Sequence, residues 1–202
     1  MRPARPFSFP GIDQDVARLG RLLNLGLKAA AWAPTAPPAV LNLACGRADE
    51  TGVLVETLAP RGAPLFLLGI DLRAAEIEEA RARWVPARGP GQDLAFRSGD
   101  ASRVDRMRQL PRFDFVFIRH QNFWHDPEVW TRLYRHALGA LKPDGCLAIT
   151  SYFDREHELA GACLRQLGAT PVADLPHPAS RRLNDAPGKS VDRHLAIFRH
   201  SP

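Results

Sequence analysis

From Ala39 onward the chain alternates between two kinds of text, and this constrains the fold more than any other feature. Short runs that are apolar at nearly every position cover 39–43, 65–70, 94–96, 113–118 and 146–150. Between and after them come stretches with apolar residues at helical spacing: 51–58, 74–84, 102–110, 127–141 and 156–167. A strand with one wet face alternates apolar with polar residues, so a strand that is apolar throughout is covered on both faces. Strands separated by helices pair in parallel, with the helices as crossovers. After the fifth unit the rhythm breaks. A short strand candidate at 170–173 is followed by a polar stretch holding Pro176, Pro178, Pro187 and Gly188, then by a last strand at 194–200. With no helix between those two strands, an antiparallel pair closes the sheet. The expected fold is α/β: a seven-stranded, mostly parallel sheet with helices on both faces and the last strand antiparallel.

Ahead of the sheet, 13–31 carries Val16, Leu19, Leu22, Leu23 and Leu27 near helical spacing, with Asp13 as N-cap and Pro34, Pro37 and Pro38 as the stop. This divides the chain into 1–38, an N-terminal helical extension placed to act as a lid, and 39–202, the core domain. A length of 202 residues suits one such domain, which buries enough surface to need no metal or disulfide staple. The cysteines Cys45, Cys146 and Cys163 are odd in number and widely spaced, which argues against a disulfide framework and against structural zinc. The basic start of the chain never reaches an apolar run of signal-peptide length, and no stretch is long and apolar enough to span a membrane. The expectation is a cytoplasmic protein with no membrane partner. Lys and Arg number 27 against 22 Asp and Glu, a net charge of +5. Nearly all the cations are arginines, scattered and interleaved with acids as in 73–83, so a mildly basic, solvated exterior explains them better than a nucleic-acid surface.

In open α/β sheets ligands bind at the carboxyl ends of the strands, so the residues just after each strand are the ones to read. After the first come Asn42, Leu43, Ala44, Cys45, Gly46, Arg47 and Ala48, where small residues admit a ligand close to the backbone or simply ease packing. After the second comes Asp71, placed to accept from both hydroxyls of a ribose, or alternatively to cap the next helix. After the third comes Asp100, which either accepts from an adenine amino group or caps its helix. Together the three loops describe an adenosine-binding edge. Asp49 and Glu50 stand where a pyrophosphate would need a free helix N-terminus, and each carboxylate near it would cost roughly 1–4 kcal/mol. The same acids suit a ligand bearing a sulfonium and an ammonium, which favours S-adenosylmethionine over NAD.

On these residues the chain resembles the class I S-adenosylmethionine-dependent methyltransferases, with their Rossmann-like fold. The resemblance runs from Ala39 to His200. It rests on Val40-Leu41-Asn42-Leu43-Ala44-Cys45-Gly46, Gly69-Ile70-Asp71, Gly99-Asp100-Ala101, Phe113-Asp114-Phe115-Val116 and, most specifically, Leu141-Lys142-Pro143-Asp144-Gly145. The last phrase reads as a helix end, a Pro stop and a Gly turn into strand five. The resemblance implies that Ala44, Cys45 and Gly46 border the methionine part of the cofactor. It also implies that Asp71 holds the ribose, that Leu72 lies beside the adenine, and that Asp100 and Ala101 meet the adenine edge. Arg119 and His120 would flank the sulfonium. The chain departs from the family at Asn42, where an acid is usual, and at Ala44 and Ala48, where glycines are usual. Asn42 can still hydrogen-bond in the cofactor site, while Asp49 or Glu50 would supply the charge facing the ammonium.

The acceptor side should lie after strand four, in residues 119–126, and after strand five, at Ser151-Tyr152-Phe153. Asn122, Trp124, His125 and Tyr152 are the candidate substrate contacts, the aromatic pair either stacking on the acceptor or packing the loop. The Asn/Asp-Pro-Pro-aromatic loop of amino-group methyltransferases acting on DNA bases or glutamine is absent. His120 is the candidate catalytic base, its alternative role being to order the loop through a backbone carbonyl. His120, His125 and Asp126 match no metal spacing, so no metal is expected. The function expected is methyl transfer from S-adenosylmethionine to a small-molecule acceptor. RNA or protein acceptors, a catalytically inactive adenosyl-binding or interaction module, and an NAD-dependent oxidoreductase are the alternatives.

Overall fold

The computed structural model describes residues 11–33, 37–59, 63–107 and 109–200. The basic start of the chain and Pro34 lie outside the described residues. The elements are α1 (Ile12–Ala29), β1 (Ala39–Leu43), α2 (Thr51–Leu58), β2 (Leu65–Asp71), α3 (Ala74–Trp84) and β3 (Gln92–Ser98). A short 3-10 helix (Ala101–Arg106) precedes β4 (Phe113–Ile118), α4 (Pro127–Gly139), β5 (Leu141–Ser151), α5 (Asp154–Gln166), β6 (Ala169–Pro176) and β7 (His194–His200).

Among the described residues, seven strands form one sheet in the order β3-β2-β1-β4-β5-β7-β6. The first five are parallel, and β7 runs antiparallel to both β5 and β6, between which it is inserted. The uniform apolarity of the central strands has a direct cause. Val40, Leu67, Phe115 and Phe117 face a layer built with α1, α2 and α3, while Leu41, Leu68, Val116 and Ile118 face one built with the 3-10 helix, α4 and α5. The edge strands β3 and β6 extend beyond their apolar signal because few of their residues are buried: Leu94 and Phe96 in β3, Ala169 and Ala173 in β6.

Three local expectations are corrected. Asp13 is not the N-cap of α1: the cap is Gly11, left-handed at φ 86° with no side-chain bond. Asp13 and Asp15 instead share the first turn, where unpaired N–H groups favour carboxylates. Asp15 also holds Arg18 (2.9 Å) and Arg181 (2.6 Å). The helix expected at 102–110 is the 3-10 turn, because Asp100 accepts from both the amide (2.9 Å) and the hydroxyl (2.7 Å) of Ser102 and starts a tight local turn. Residues 141–145 are not a helix end and turn. α4 stops at Gly139, Leu141 already pairs with Phe113, and the ladder resumes at Cys146 opposite Phe115, so 142–145 bulge out. Lys142 there reaches Asp114 (2.8 Å), whose carboxylate also receives the Ala39 amide (2.7 Å).

Helix α1 is docked on the sheet. Leu19, Leu22, Leu23 and Leu27 are buried, and a Cβ at Gly26 would stand 2.6 Å from Leu195, so glycine sets how closely α1 lies on β7. No helix among the described residues is long and apolar enough to cross a membrane.

Candidate functional site

Strand β1 ends in a turn of left-handed residues: Ala44 (φ 53°), Gly46 (54°) and Ala48 (53°). An L-residue with a Cβ costs roughly 1–2 kcal/mol in that region, so the two alanines hold a glycine-type conformation under strain. The turn is tied by Cys45 N–H to Ile70 O (3.1 Å), Ala48 N–H to Cys45 O (2.8 Å) and Thr51 N–H to Ala48 O (3.0 Å). It opens onto a cavity of about 740 Å³ whose wall includes Ala44, Cys45, Gly46, Glu50, Arg119, His120 and Tyr152. A volume of this size suits a cofactor together with a small ligand. No residue of α1 is part of its lining.

The most deeply buried carboxylate of this wall comes from the residue that leads into α2. Glu50 is buried, receives Asn42 Nδ2 on one oxygen (2.5 Å) and faces Arg119 Nη1 with the other (3.5 Å). Asp49 also lines the cavity and pairs with Arg83 and with Arg47 (3.4 Å). Asn42 is fully buried beneath the turn, its Oδ1 without a hydrogen-bond partner among the described residues. Cys45 is buried beside these acids. Burial first, then the charges of Glu50 and Asp71, push its thiol well above the ordinary range.

Asp71 ends β2 and is 4% exposed. One oxygen accepts from the Gly46 amide (2.7 Å), the other from the Arg73 amide (2.9 Å), and the Arg73 guanidinium lies across both (3.0 and 3.3 Å). Burial pushes this carboxyl up, and the Arg73 and Gly46 bonds outweigh it, leaving it below its usual value. Leu72 is 72% exposed and outside the cavity lining. Asp100 caps the 3-10 helix with one oxygen and faces Arg103 with the other (3.4 Å), while Ala101 is buried under that turn.

A residue that sequence reasoning missed organises the far wall. Asp192, just before β7, is 1% exposed and left-handed at φ 49°. Its carboxylate accepts from Arg119 Nε (3.0 Å) and Nη2 (2.6 Å), from Thr150 Oγ1 (2.9 Å), and meets His120 Nε2 (2.9 Å). Burial pushes its carboxyl up, but Arg119 and His120 overcome this and hold it far below the usual range; Arg119 is pushed up in turn, since Asp192 and Glu50 outweigh its own burial. The His120 ring thus meets the Asp192 carboxylate and also accepts from the Asp192 amide (3.3 Å), in place of the backbone carbonyl considered from sequence, and its own amide donates to Thr150 Oγ1 (3.1 Å). Its ring stacks on Tyr152 at 4.1 Å. Tyr152 also carries the Lys189 ammonium over its ring at 4.8 Å, and burial foremost pushes its hydroxyl up to about 12.

Asn122, Trp124 and His125 sit together on the exposed turn after β4, outside the cavity lining. The His125 amide donates to Asn122 O (3.1 Å), and Trp124 packs at 4.9 Å on Phe153, the neighbour of Tyr152. Gln121 beneath them is fully buried and donates to Ser151 Oγ (2.7 Å).

A family model described as "Methyltransferase domain" matches residues 40–145. No curated protein matches the sequence. Among solved structures, the chain is similar to an S-adenosylmethionine-dependent methyltransferase from Clostridium acetobutylicum ATCC 824 (TM-score 0.68, 10% identity, covering 93% of this chain and 92% of that one). It is also similar to the sugar N-methyltransferase KedS8 from Streptoalloteichus sp. ATCC 53650 (0.61, 14%, covering 95% and 90%). An rRNA methylase from Streptococcus thermophilus shares the fold as well (0.59, 13%, covering 90% and 98%).

Proposed function

Since the chain belongs to the methyltransferase domain family and its cofactor is S-adenosylmethionine, we propose that it methylates a small molecule, with His120 as the base that takes the acceptor's proton. The donor set suits that cofactor: the buried carboxylate of Glu50 lines the cavity to match a cation, and Gly46 presents its backbone there without a Cβ. In this reading Ala44, Cys45 and Gly46 hold the methionine part, with Asn42 supporting Glu50 behind them. Asp71 takes the ribose, and Leu72, Asp100 and Ala101 edge the adenine. Bound there, the cofactor supplies an electrophilic methyl group on a sulfonium.

The observation that carries the proposal is the His120–Asp192 pair in the cavity wall. His120 Nε2 lies 2.9 Å from the carboxylate and accepts from the Asp192 amide at 3.3 Å, so Asp192 fixes the ring from both its groups; in the tautomer that turns Nε2–H to the carboxylate, Nδ1 presents the lone pair a base needs. Stacking on Tyr152 fixes the ring plane, and alignment of nucleophile, methyl and sulfur then supplies much of the acceleration. Arg119 closes the wall beside His120, and Tyr152, with Asn122, Trp124 and His125 at the mouth, contacts the acceptor. A small acceptor is favoured over RNA because the cavity's arginines are already paired: Arg47 with Asp49 (3.4 Å), Arg73 with Asp71 (3.0 Å) and Arg119 with Asp192 (2.6 Å). A phosphate backbone needs cations to spare. Among the neighbours, this favours chemistry nearer that of the sugar N-methyltransferase than that of the rRNA methylase.

The test is S-adenosylhomocysteine formation over a panel of small amines and hydroxyl compounds, set beside RNA, for the wild type and His120→Gln. The expected result is turnover of a small acceptor that falls about 10²- to 10⁴-fold in the variant, with cofactor affinity kept. Turnover of RNA alone would remove the small-molecule reading. A rate within threefold of wild type would reduce His120 to a loop-ordering residue. Cofactor binding without turnover of anything would make the chain an adenosyl-binding module.

A further inference from the structure

We propose that Arg73 competes with the ribose for Asp71 and thereby sets cofactor affinity; this rests on the reading of Asp71 as the ribose carboxylate. A carboxylate offers about four lone-pair sites. Those of Asp71 are all taken: one oxygen receives the Gly46 amide (2.7 Å) and Arg73 Nη2 (3.3 Å), the other the Arg73 amide (2.9 Å) and Nε (3.0 Å). A vicinal diol donates two hydrogen bonds, so two of these donors must leave before it binds.

Which two is decided by the backbone. The Gly46 amide belongs to the turn locked by Cys45 and Ala48, and the Arg73 amide to the turn that leads into α3, itself held by Gly99 N–H on Asp71 O (2.9 Å). The guanidinium instead sits on a side chain 61% exposed, against 5% for the Asp71 side chain. It is the only one of the three partners that can leave by rotating side-chain bonds, and water receives it at little cost. Glu76, one turn along α3, already holds Nη1 (3.0 Å) and keeps the guanidinium tethered after it lets go of Asp71.

A second observation points the same way. Arg73 Nη2 and Glu76 Oε2 both lie 3.1 Å from where a Cβ on Gly46 would be. Glycine leaves room there for a close approach to the backbone, and this ion pair occupies that room. The group that saturates Asp71 is thus the one that stands over the turn.

The experiment is isothermal titration of the wild type, Arg73→Ala, Arg73→Lys and the double variant Asp71→Ala/Arg73→Ala. Each is titrated with S-adenosylmethionine and with 5′-methylthioadenosine, which carries the same ribose on a neutral thioether. Arg73 makes no side-chain cap to α3, so helix formation survives its loss, and circular dichroism checks this. Arg73→Ala is expected to bind both ligands about fivefold more tightly, with Arg73→Lys in between because a point charge cannot span the carboxylate. The gain should vanish in the double variant. A gain for S-adenosylmethionine alone would mean simple charge repulsion and overturn the competition. Weaker binding of both ligands would make Arg73 a cofactor ligand and also overturn it. If the double variant binds as well as Arg73→Ala, Asp71 is not the ribose carboxylate; if no protein binds either ligand, the site itself has been misread. In both of these cases the proposal falls with the reading beneath it.

Discussion

Replacing Asp192 with asparagine tests how the far wall is held. Asparagine tolerates the left-handed backbone at φ 49° and nearly matches the side-chain volume, so the change is one of charge. Arg119, with a side chain 9% exposed, would lose its 2.6 Å partner and keep only Glu50 at 3.5 Å. Breaking a buried ion pair costs about 3–5 kcal/mol; the remaining Glu50 charge and the acceptor left on the amide reduce this to about 2–3 kcal/mol. An unfolding entropy of about 2.1 cal/mol/K per residue then lowers Tm by about 5–7 °C. A pH dependence accompanies the loss. The Asp192 carboxyl is held far below its ordinary value near 3.8, so its stabilisation is complete above that value and drains away as pH falls below it. At pH 3 about 1 kcal/mol of the wild type's advantage is gone, while asparagine has nothing to titrate. Urea unfolding of both proteins at pH 7 and pH 3 measures this directly. A difference under about 0.5 kcal/mol at pH 7, or one that fails to narrow at pH 3, would refute the argument that this carboxylate carries the wall.

Two further perturbations probe the cradle and its support. Ala44→Gly releases a left-handed alanine at φ 53°; after allowing for the looser unfolded chain, it should stabilise by about 0.5–1 kcal/mol in urea, and a destabilised variant would show that the turn is unstrained. Ala48→Gly should gain little, because its methyl is fully buried in the core. Glu156, 1% exposed at the start of α5, accepts from the Tyr152 amide (3.1 Å), and burial outweighs its backbone donors to push it up to about 7. A raised carboxyl favours the folded state below its unfolded value and loses that advantage as pH climbs through 7. The stability of Glu156→Gln relative to wild type should therefore rise by roughly 2–3 kcal/mol between pH 5 and pH 9, and a pH-independent difference would count against it.

Much of this architecture was legible because one physical constraint writes itself into every position of a strand. Phe113–Ile118 is apolar at every position but Asp114 because both of its faces are covered. Where burial is partial, as in β3 and β6, the same logic gives a weaker signal and the strands read short. The helix expected over 102–110 failed for a different reason: the Asp100–Ser102 bonds are local competitors of helix, and apolar spacing does not report them. The first turn was legible through its small residues at positions that fold left-handed, and Asp71 through its place at the end of β2. Glu50 emerged only as one of two acids, because choosing between it and Asp49 needs to know which faces Asn42 and Arg119.

Asp192 is invisible to a search of the residues just after each strand, and the topology explains why. A parallel sheet gathers its ligand-facing residues at the carboxyl ends of its strands. β7 is antiparallel, so the end it brings to that edge is its beginning. The register pairs Ser151 with His194 and Thr150 with Leu195, and the Arg193 amide donates to Ser151 O (2.9 Å). The residues leading into β7 are thereby laid beside the last residues of β5, within reach of Arg119 and His120 after β4. Nothing in the local text of 189–193 signals this, because the partners lie some seventy positions earlier and meet only through the inserted strand. For a sheet of this topology the residues worth reading therefore include those before the antiparallel strand. A carboxylate there can serve an arginine and a histidine from β4 without belonging to any contiguous motif.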